Sequence, residues 1–295
     1  MKYINRVSVH CWGGLGSQLF AWAMAEYLAE RFPKKHIIIV LHSNGVTRRL
    51  PSVNFLESKF EIKMQDDYSS GEDIDKIQFT QRFGYKKILK KILKSVYLVI
   101  DANNSVERKR IKPWTRVLRG HYSYSSISDY TLNIIINDIS KFKEINLKYG
   151  SKKEKSLGVH YRLGDLIQLP NKSYVKPNNL SKIIVRTIQN HELIKLELYS
   201  EDSKLANKML GNMIPEFCTY KESEIWDTII ELSKFEFFIG TNSKISVWIT
   251  ILRIYLDTNS YNLLPISMKE NIEAVLPRIA HSKNVSYYDD SYFIQ

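Results

Sequence analysis

The chain has 295 residues, of which 44% are hydrophobic and 25% are charged. This balance fits one large domain or two ordinary domains with a substantial core, and it excludes an intrinsically disordered protein. The net charge of +12 comes almost entirely from residues 1–150, where 25 Lys and Arg stand against 14 Asp and Glu, while the remainder holds 18 and 17. An excess confined to one half suggests that this half faces nucleic acid, an acidic membrane surface or a phosphorylated acceptor molecule.

The two cysteines, Cys11 and Cys218, lie far apart and do not form a C-x-x-C spacing. They predict no disulfide framework and therefore a reducing compartment, with Cys11 buried in an apolar run. The first residues are expected to lead into a strand rather than a signal peptide, and no apolar run approaches the roughly 20 residues of a membrane span. The expected location is the cytoplasm.

The chain opens with the pattern of a strand, a glycine loop, a helix and a second strand. Residues 7–12 are rich in β formers, and glycines at 13, 14 and 16 end this run. An apolar stripe at helical spacing predicts a helix over 19–32, and the apolar run at 36–41 predicts a buried strand. A βαβ opening favours a parallel sheet.

Residues 65–128 have weaker patterns, with one exception. Over 85–97, apolar residues at helical spacing alternate with five lysines, which predicts an amphipathic helix with a basic face. Such a helix is either an ordinary surface helix or a contact with an anionic membrane surface, and the sequence leaves both interpretations open.

A charged stretch at 149–155 has the composition of a linker, so we predict domains over 1–150 and 151–295. Beyond it, strands are predicted at 157–161, 195–200 and 235–240. Helices are predicted at 177–191, 203–210, 225–233 and 246–256. Strands that alternate with helices on both sides of a linker predict an α/β protein with two Rossmann-like domains facing a cleft.

The strand end at 160–165 is the strongest candidate site. Arg162 offers a planar fork suited to bidentate binding of phosphate. Gly164 allows a sharp turn, Asp165 could orient a neighbour or accept a proton, and His160 could donate to a phosphate or a ribose. Polar residues at the carboxyl end of a strand are typical of ligand sites in open α/β sheets, although a salt-bridged strand end is the alternative.

The glycine loop near the start is a second candidate. Gly14, Gly16 and Gln18 stand between a strand and a helix whose N-terminus favours anions. A plain strand-to-helix turn is the alternative.

A third candidate lies at 240–248, where a strand again passes into a helix. Asn242, Ser243 and Ser246 bring polar side chains, and backbone N–H groups at the helix start could cradle an anion. Either serine could instead cap the helix.

The fourth candidate is the strand end formed by Ser200, Glu201 and Asp202. A carboxylate there could accept the two N–H groups of a guanine edge. It could also cap the following helix.

Together and in this order, the four segments resemble motifs of the bacterial α-1,2-fucosyltransferases of glycosyltransferase family 11. The family patterns G-G-L-G-N-Q-[ML]-F, H-x-R-x-G-D, S-D-D and N-S-[ST]-F-S-W-W correspond here to GGLGSQLF, HYRLGD, SED and NSKISVW, which begin at residues 13, 160, 200 and 242. The resemblance extends from residue 13 to about residue 252. Departures at 17, 201, 244, 245 and 247 identify the chain as a divergent member.

The resemblance implies a GT-B-like fold whose C-terminal domain holds most of the donor. It implies inverting transfer of L-fucose from GDP-β-L-fucose to a galactose 2-hydroxyl. Arg162 would neutralise the leaving β-phosphate, Ser243 and Ser246 or nearby N–H groups would hold the phosphates, and Glu201 or Asp202 would contact guanine. The resemblance also implies no obligatory metal and no cofactor beyond the GDP-fucose co-substrate. Without a metal, arginine, hydroxyls and helix N-termini would have to meet the leaving-group charge.

Asp165 and His160 are the candidates for the general base, and either could serve only to position a neighbour. The expected acceptor is a bacterial surface oligosaccharide of the O-antigen type, built on a lipid pyrophosphate. The basic N-terminal half would then contact the anionic inner membrane peripherally.

The sequence is compatible with two other functions. The substitutions near the phosphate motifs suggest a GT-B transferase that uses a different nucleotide sugar. The basic N-terminal half suggests a nucleic-acid-binding protein, but the chain has no nucleic-acid motif, and its motif-like residues lie mainly in the near-neutral half. We therefore expect no nucleic-acid partner.

Overall fold

The computed structural model describes residues 5–42, 53–65, 92, 94–144, 153–167, 174–256, 260–276 and 284–289. The chain divides into two compact units, Met1–Phe142 and Lys143–Gln295. The predicted domain boundary between residues 150 and 151 lies outside the described residues, as does most of the predicted lysine-faced helix at 85–97.

The first unit is built around a five-stranded sheet in the order β3-β2-β1-β5-β4, and all neighbouring strands are parallel. The strands are β1 (Arg6–Trp12), β2 (His36–His42), β3 (Glu61–Gln65), β4 (Val99–Asp101) and β5 (Val117–Arg119). The described helices are α1 (Leu15–Arg31), α2 (Ser105–Lys109) and α3 (Asp129–Phe142). Cys11 is buried on β1, as expected for a small hydrophobic residue.

The second unit is built around a six-stranded parallel sheet in the order β11-β10-β9-β6-β7-β8. Its strands are β6 (Lys153–His160), β7 (Lys195–Tyr199), β8 (Cys218–Lys221), β9 (Phe235–Gly240), β10 (Tyr261–Pro265) and β11 (Val285–Tyr288). Its described helices are α4 (Pro177–His191), α5 (Ser203–Leu210), α6 (Ile225–Ser233), α7 (Lys244–Leu256) and α8 (Lys269–Val275).

A central apolar core holds the second unit together. Leu157 and Val159 of β6 are fully buried with Leu196 and Leu198 of β7, and Ile184 of α4 packs in the same cluster. A parallel strand covered on both faces is expected to be a continuous apolar run, and β6 fits this rule because all residues from 156 to 160 are buried. This packing fixes the strand ends where the candidate residues lie.

The predicted class, α/β with two Rossmann-like domains, is confirmed by these two parallel sheets with interspersed helices. Helices α4, α5 and α6 and strand β9 have the predicted bounds. No helix within the described ranges is long and apolar enough to cross a membrane.

Four elements begin earlier than predicted, and β1 does so by a single residue, at Arg6. Helix α1 starts at Leu15 because the N–H groups of Ser17 and Gln18 already donate to the Gly14 carbonyl, so packing overrides the weak helix propensity of this turn. Strand β6 starts at Lys153, inside the predicted linker, because Lys153 pairs with Phe235 of β9 and its N–H donates to the Lys234 carbonyl at 2.8 Å. Helix α7 starts at residue 244, two residues before the predicted start.

Candidate functional site

The strand order of the second unit creates a switch point between β6 and β9. Numbered within the unit, the strands run 3-2-1-4-5-6 across the sheet, which is the Rossmann order. The chain therefore leaves β6 and β9 towards opposite halves of the sheet. In open α/β sheets, ligands bind in the crevice outside the carboxyl ends of two such strands. These ends are His160 and Gly240, which are paired in register.

Thr241 joins the two strand ends. Its side chain is fully buried, and its hydroxyl donates to the His160 carbonyl at 2.9 Å and accepts from the Arg162 N–H at 2.9 Å. Its own N–H donates to the Ser246 hydroxyl at 3.1 Å. Thr241 thus fixes the backbone on both sides of the candidate motif, and the sequence motifs did not single it out.

Gly240 allows this close arrangement. A Cβ atom at this position would lie 2.7 Å from Cβ of Ser246 and 2.5 Å from a methyl carbon of Leu264. The absence of a side chain therefore lets the start of α7 approach the end of β9.

His160 is buried, with 2% of its surface exposed, and its Nδ1 lies 2.8 Å from the Ser246 hydroxyl. Burial lowers the pKa of His160 to about 4, the Glu201 carboxylate opposes this shift, and the Arg162 guanidinium adds to it. The ring is therefore neutral at physiological pH. The fully buried Ser246 hydroxyl bonds to His160 and to the Thr241 N–H rather than to an N–H group of α7, so it does not act as a helix cap.

Arg162 makes an ion pair with Glu201. The distance between Nη1 and Oε1 is 2.9 Å, and the other carboxylate oxygen of Glu201 accepts from the Leu163 N–H at 3.3 Å. Gly164 continues this turn with a φ of +28°, and a Cβ there would lie 3.5 Å from the Glu201 carboxyl group. A guanidinium and a backbone N–H that jointly bind one carboxylate can also bind a phosphate. The motif is thus a salt-bridged strand end with the chemistry of an anion site.

Asp202 caps α5. Its side chain accepts from the Leu205 N–H at 2.8 Å, and its own N–H donates to the Ser200 hydroxyl at 3.4 Å. Of the two acids at this strand end, Glu201 meets Arg162 and Asp202 serves the helix. The side chain of Asp165 lies outside what the structure describes, although its backbone belongs to a 3-10 helix over Gly164–Ile167.

Ser243 lies at the beginning of α7. Its hydroxyl accepts from the Ile245 N–H at 3.1 Å, and its carbonyl accepts from the Val247 N–H at 3.2 Å. Asn242 precedes it and is partly exposed. Ser243 therefore satisfies helix N–H groups, and the positive end of the α7 dipole points to the carboxyl edge of the sheet.

A cavity of about 500 Å³ opens beside His160, Ser200 and Glu201. Its remaining lining comes from the segment after β8, namely Glu222, Ser223, Glu224, Ile225 and Thr228. Glu222 accepts from the hydroxyl and the N–H of Ser203, whereas the Glu224 carboxylate has no partner among the described residues. The four sequence motifs do not include this acidic segment, although its position after a short polar strand is a usable signal.

The glycine loop lies in the first unit. The other three candidates lie in the second unit, whose fold brings them together at one edge of its sheet. Gly14 precedes α1, and Gly16 and Gln18 are buried in its first turn. The Gln18 amide donates to the Gly13 carbonyl at 3.4 Å. The structure therefore shows a tight strand-to-helix turn at this loop.

Among the described residues, no group of three or more His, Cys, Asp or Glu is arranged to hold a metal ion.

No protein-family model and no curated protein matches the chain. Among solved structures, POFUT1 in complex with GDP is 11% identical with a TM-score of 0.41, over 89% of this chain and 98% of that one. The glycosyl transferase family 9 protein of Veillonella parvula is 8% identical with a TM-score of 0.44, over 98% and 87%. The E. coli heptosyltransferase WaaC with ADP is 7% identical with a TM-score of 0.41, over 96% and 93%. Similarities of this size do not establish the activity of this chain, and membership of family 11 stays a prediction.

The buried neutral His160 makes stability depend on pH. In the unfolded chain this histidine binds a proton below its ordinary pKa of 6.5, but in the folded chain it does so only below about 4. The free energy of unfolding therefore falls as the pH drops through this window, by about 2 kcal/mol between pH 7 and pH 5. Urea unfolding of the wild-type protein and of His160→Gln at both pH values measures how much His160 contributes to this fall. Equal pH dependence in the two proteins would contradict it.

Proposed function

We propose that the chain is an inverting glycosyltransferase that binds a nucleotide-diphosphate sugar at the carboxyl edge of β6 and β9. One observation carries the proposal: the Arg162 guanidinium already holds a carboxylate at the switch point of a Rossmann-ordered sheet, beside a cavity of about 500 Å³. The four motifs in order along the chain support the same function independently.

The diphosphate is proposed to lie against Arg162 and the start of α7. Arg162 binds paired oxygens in its planar fork, and the N-terminus of a 13-residue helix contributes partial positive charge. Ser243 directly precedes α7, and its side chain is only partly buried, so its hydroxyl is available beside the helix start. These groups would stabilise the negative charge that develops on the leaving diphosphate.

The base and ribose are proposed to occupy the acidic cavity. Carboxylates of Glu201, Glu222 and Glu224 line it, so it repels phosphate and accepts hydrogen bonds from N–H and O–H groups. Guanine presents two adjacent N–H donors that match one carboxylate. Since Glu201 meets Arg162 and Asp202 caps a helix, we assign the guanine contact to Glu224, whose carboxylate has no partner among the described residues.

The proposed reaction follows the resemblance to family 11. The galactose 2-hydroxyl attacks C1 of fucose from the face opposite GDP, the bond between C1 and the β-phosphate oxygen breaks, and GDP leaves with the electron pair. The proton of the attacking hydroxyl passes to a base. Asp165 is the proposed base, because the pKa of about 4 makes His160 a weak one.

The acceptor is proposed to be an O-antigen-like glycan on a lipid pyrophosphate at the cytoplasmic face of the inner membrane. The 25 Lys and Arg in residues 1–150 support a peripheral contact with anionic lipid. In liposome flotation we expect recovery with anionic vesicles at low salt, declining as the salt concentration rises. Equal recovery with neutral vesicles would contradict the electrostatic contact.

The reaction is proposed to need no obligatory metal, because Arg162 and the α7 N-terminus can meet the leaving-group charge. The chain contains a D-x-D triplet at residues 73–75, a pattern that often binds divalent metal, and this triplet lies outside the described residues. Full activity in EDTA is the expected result, and loss of activity that Mg²⁺ or Mn²⁺ restores would contradict it.

The direct test incubates the protein with GDP-fucose and a panel of galactose-terminated acceptors and follows the release of GDP. Acceptor-dependent release with an α-1,2-linked product is expected. Tight binding of UDP or ADP with no binding of GDP in calorimetric titration would instead favour a transferase for another nucleotide sugar. The unusual residues Lys244, Ile245 and Val247 motivate that alternative.

Replacing Arg162 by Lys removes the bidentate fork but keeps the charge. We expect kcat/KM to fall by about 100- to 1,000-fold, because one donor is lost where charge develops in the transition state. Arg186→Lys, at an exposed position on α4, is the matched control and should retain full activity. Steady-state kinetics of GDP release measures both, and near-wild-type rates for Arg162→Lys would remove its assigned role.

Replacing Glu224 by Gln tests the guanine contact. The glutamine side chain accepts hydrogen bonds only through its oxygen, and its NH₂ group would face the guanine 2-amino group, so that two donors meet. We expect GDP affinity to fall by about tenfold or more, while IDP, which lacks that amino group, loses less. Glu216→Gln, at an exposed position, is the control. Calorimetry with both nucleotides decides, and an unchanged ratio of GDP to IDP affinity would contradict the assignment.

A further inference from the structure

We infer that Ser246 and the backbone of Thr241 fix the tautomer of His160, so that its proton resides on Nε2 and the ring serves as a hydrogen-bond donor to the bound nucleotide sugar. Ser246 is thereby a positioning residue that acts through His160. The role of the His160 ring as a hydrogen-bond donor to a ligand rests on the proposed function, whereas the tautomer itself does not.

The hydrogen bonds around Ser246 determine the tautomer. The Thr241 N–H can only donate, and it lies 3.1 Å from the Ser246 hydroxyl oxygen. The same oxygen lies 2.8 Å from Nδ1 of His160. Ser246 has one hydroxyl proton, and its hydroxyl makes no further hydrogen bond among the described residues. That proton therefore goes to Nδ1, which must be unprotonated.

The opposite tautomer leaves a buried group unsatisfied. If Nδ1 carried the proton, the Ser246 oxygen would accept two bonds, and its own proton would have no acceptor. A serine inside a helix often donates to the carbonyl four residues earlier, but the structure places no such bond at Ser246. Thr241 and Ser246 are both fully buried, so water does not compensate.

Burial also excludes the doubly protonated ring at physiological pH, since it lowers the pKa of His160 to about 4. The charged groups acting on the ring are Glu201, which favours protonation, and Arg162, which disfavours it. The ring is therefore neutral with one proton, and Ser246 decides which nitrogen holds it.

The Nε2 edge is the part of the ring left for a ligand. Nδ1 is occupied by Ser246, no described residue is a partner of Nε2, and His160 lines the cavity beside Glu201. An N–H group there can donate to a ribose or phosphate oxygen of the nucleotide sugar. Because Nε2 is already protonated, it cannot accept the proton of the attacking hydroxyl, and this places His160 outside the role of general base.

The tautomer can be measured without any ligand. In a long-range ¹H–¹⁵N correlation spectrum of the ¹⁵N-histidine-labelled protein at pH 7.5, His160 should show an unprotonated Nδ1 and a protonated Nε2. The chain has seven histidines, and loss of one ring in His160→Gln assigns the signals. A protonated Nδ1 overturns the inference, whether or not the protein binds GDP.

The ligand role has its own measurement. Addition of GDP should shift the Nε2 proton downfield in the wild-type protein, because the N–H group gains an oxygen acceptor. Ser246→Ala should weaken GDP binding by about tenfold, since the ring is no longer fixed. Thr250→Val is the matched control, because Thr250 lies on the same helix and its buried hydroxyl has no partner. If GDP binds without moving the His160 signals, the donor role is wrong. If Ser246→Ala does not fold, the wild-type spectra with and without GDP still test both the tautomer and the donor role.

Discussion

The candidate site depends on the junction where the ends of β6 and β9 meet. His160 and Gly240 are paired there, and the buried Thr241 uses its N–H and its hydroxyl to hold Ser246, the His160 carbonyl and the Arg162 N–H. These polar groups are buried and mutually satisfied, which makes one arrangement far more stable than its alternatives. The backbone position of Arg162 and the tautomer that we infer for His160 both follow from this junction, whereas Glu201 holds the Arg162 guanidinium.

Charge divides the site into two parts with different chemistry. Arg162 and the start of α7 favour anions, whereas the cavity lined by Glu201, Glu222 and Glu224 favours hydrogen-bond donors. A nucleotide-diphosphate sugar has this same division, with an anionic diphosphate beside a ribose and a base rich in N–H and O–H groups. The match supports the proposed function without reference to any similar protein.

The sequence predicted much of the second unit, because long apolar patterns report local structure. Helices α4, α5 and α6 were predicted at their observed bounds. Of the two interpretations of the strand end at 160–165, the structure shows the salt-bridged one, with Arg162 paired to Glu201. Strands β4 and β5 were missed because each has only three residues, too few to show a period.

The roles of single polar residues were harder to predict, because they depend on partners that are distant in sequence. Glu201 reaches Arg162 while Asp202 caps α5, and Ser246 meets His160 while Ser243 remains at the helix start. Thr241 lies within a sequence motif, yet only the pairing of β6 with β9 reveals its three bonds.

A crystal structure of the protein with GDP tests the central claim most directly. We predict that the β-phosphate accepts hydrogen bonds from the Arg162 guanidinium, that His160 Nε2 donates to a ribose or phosphate oxygen, and that the guanine edge meets Glu224. GDP bound without contact to residues 160–163 and 241–246 would contradict the account.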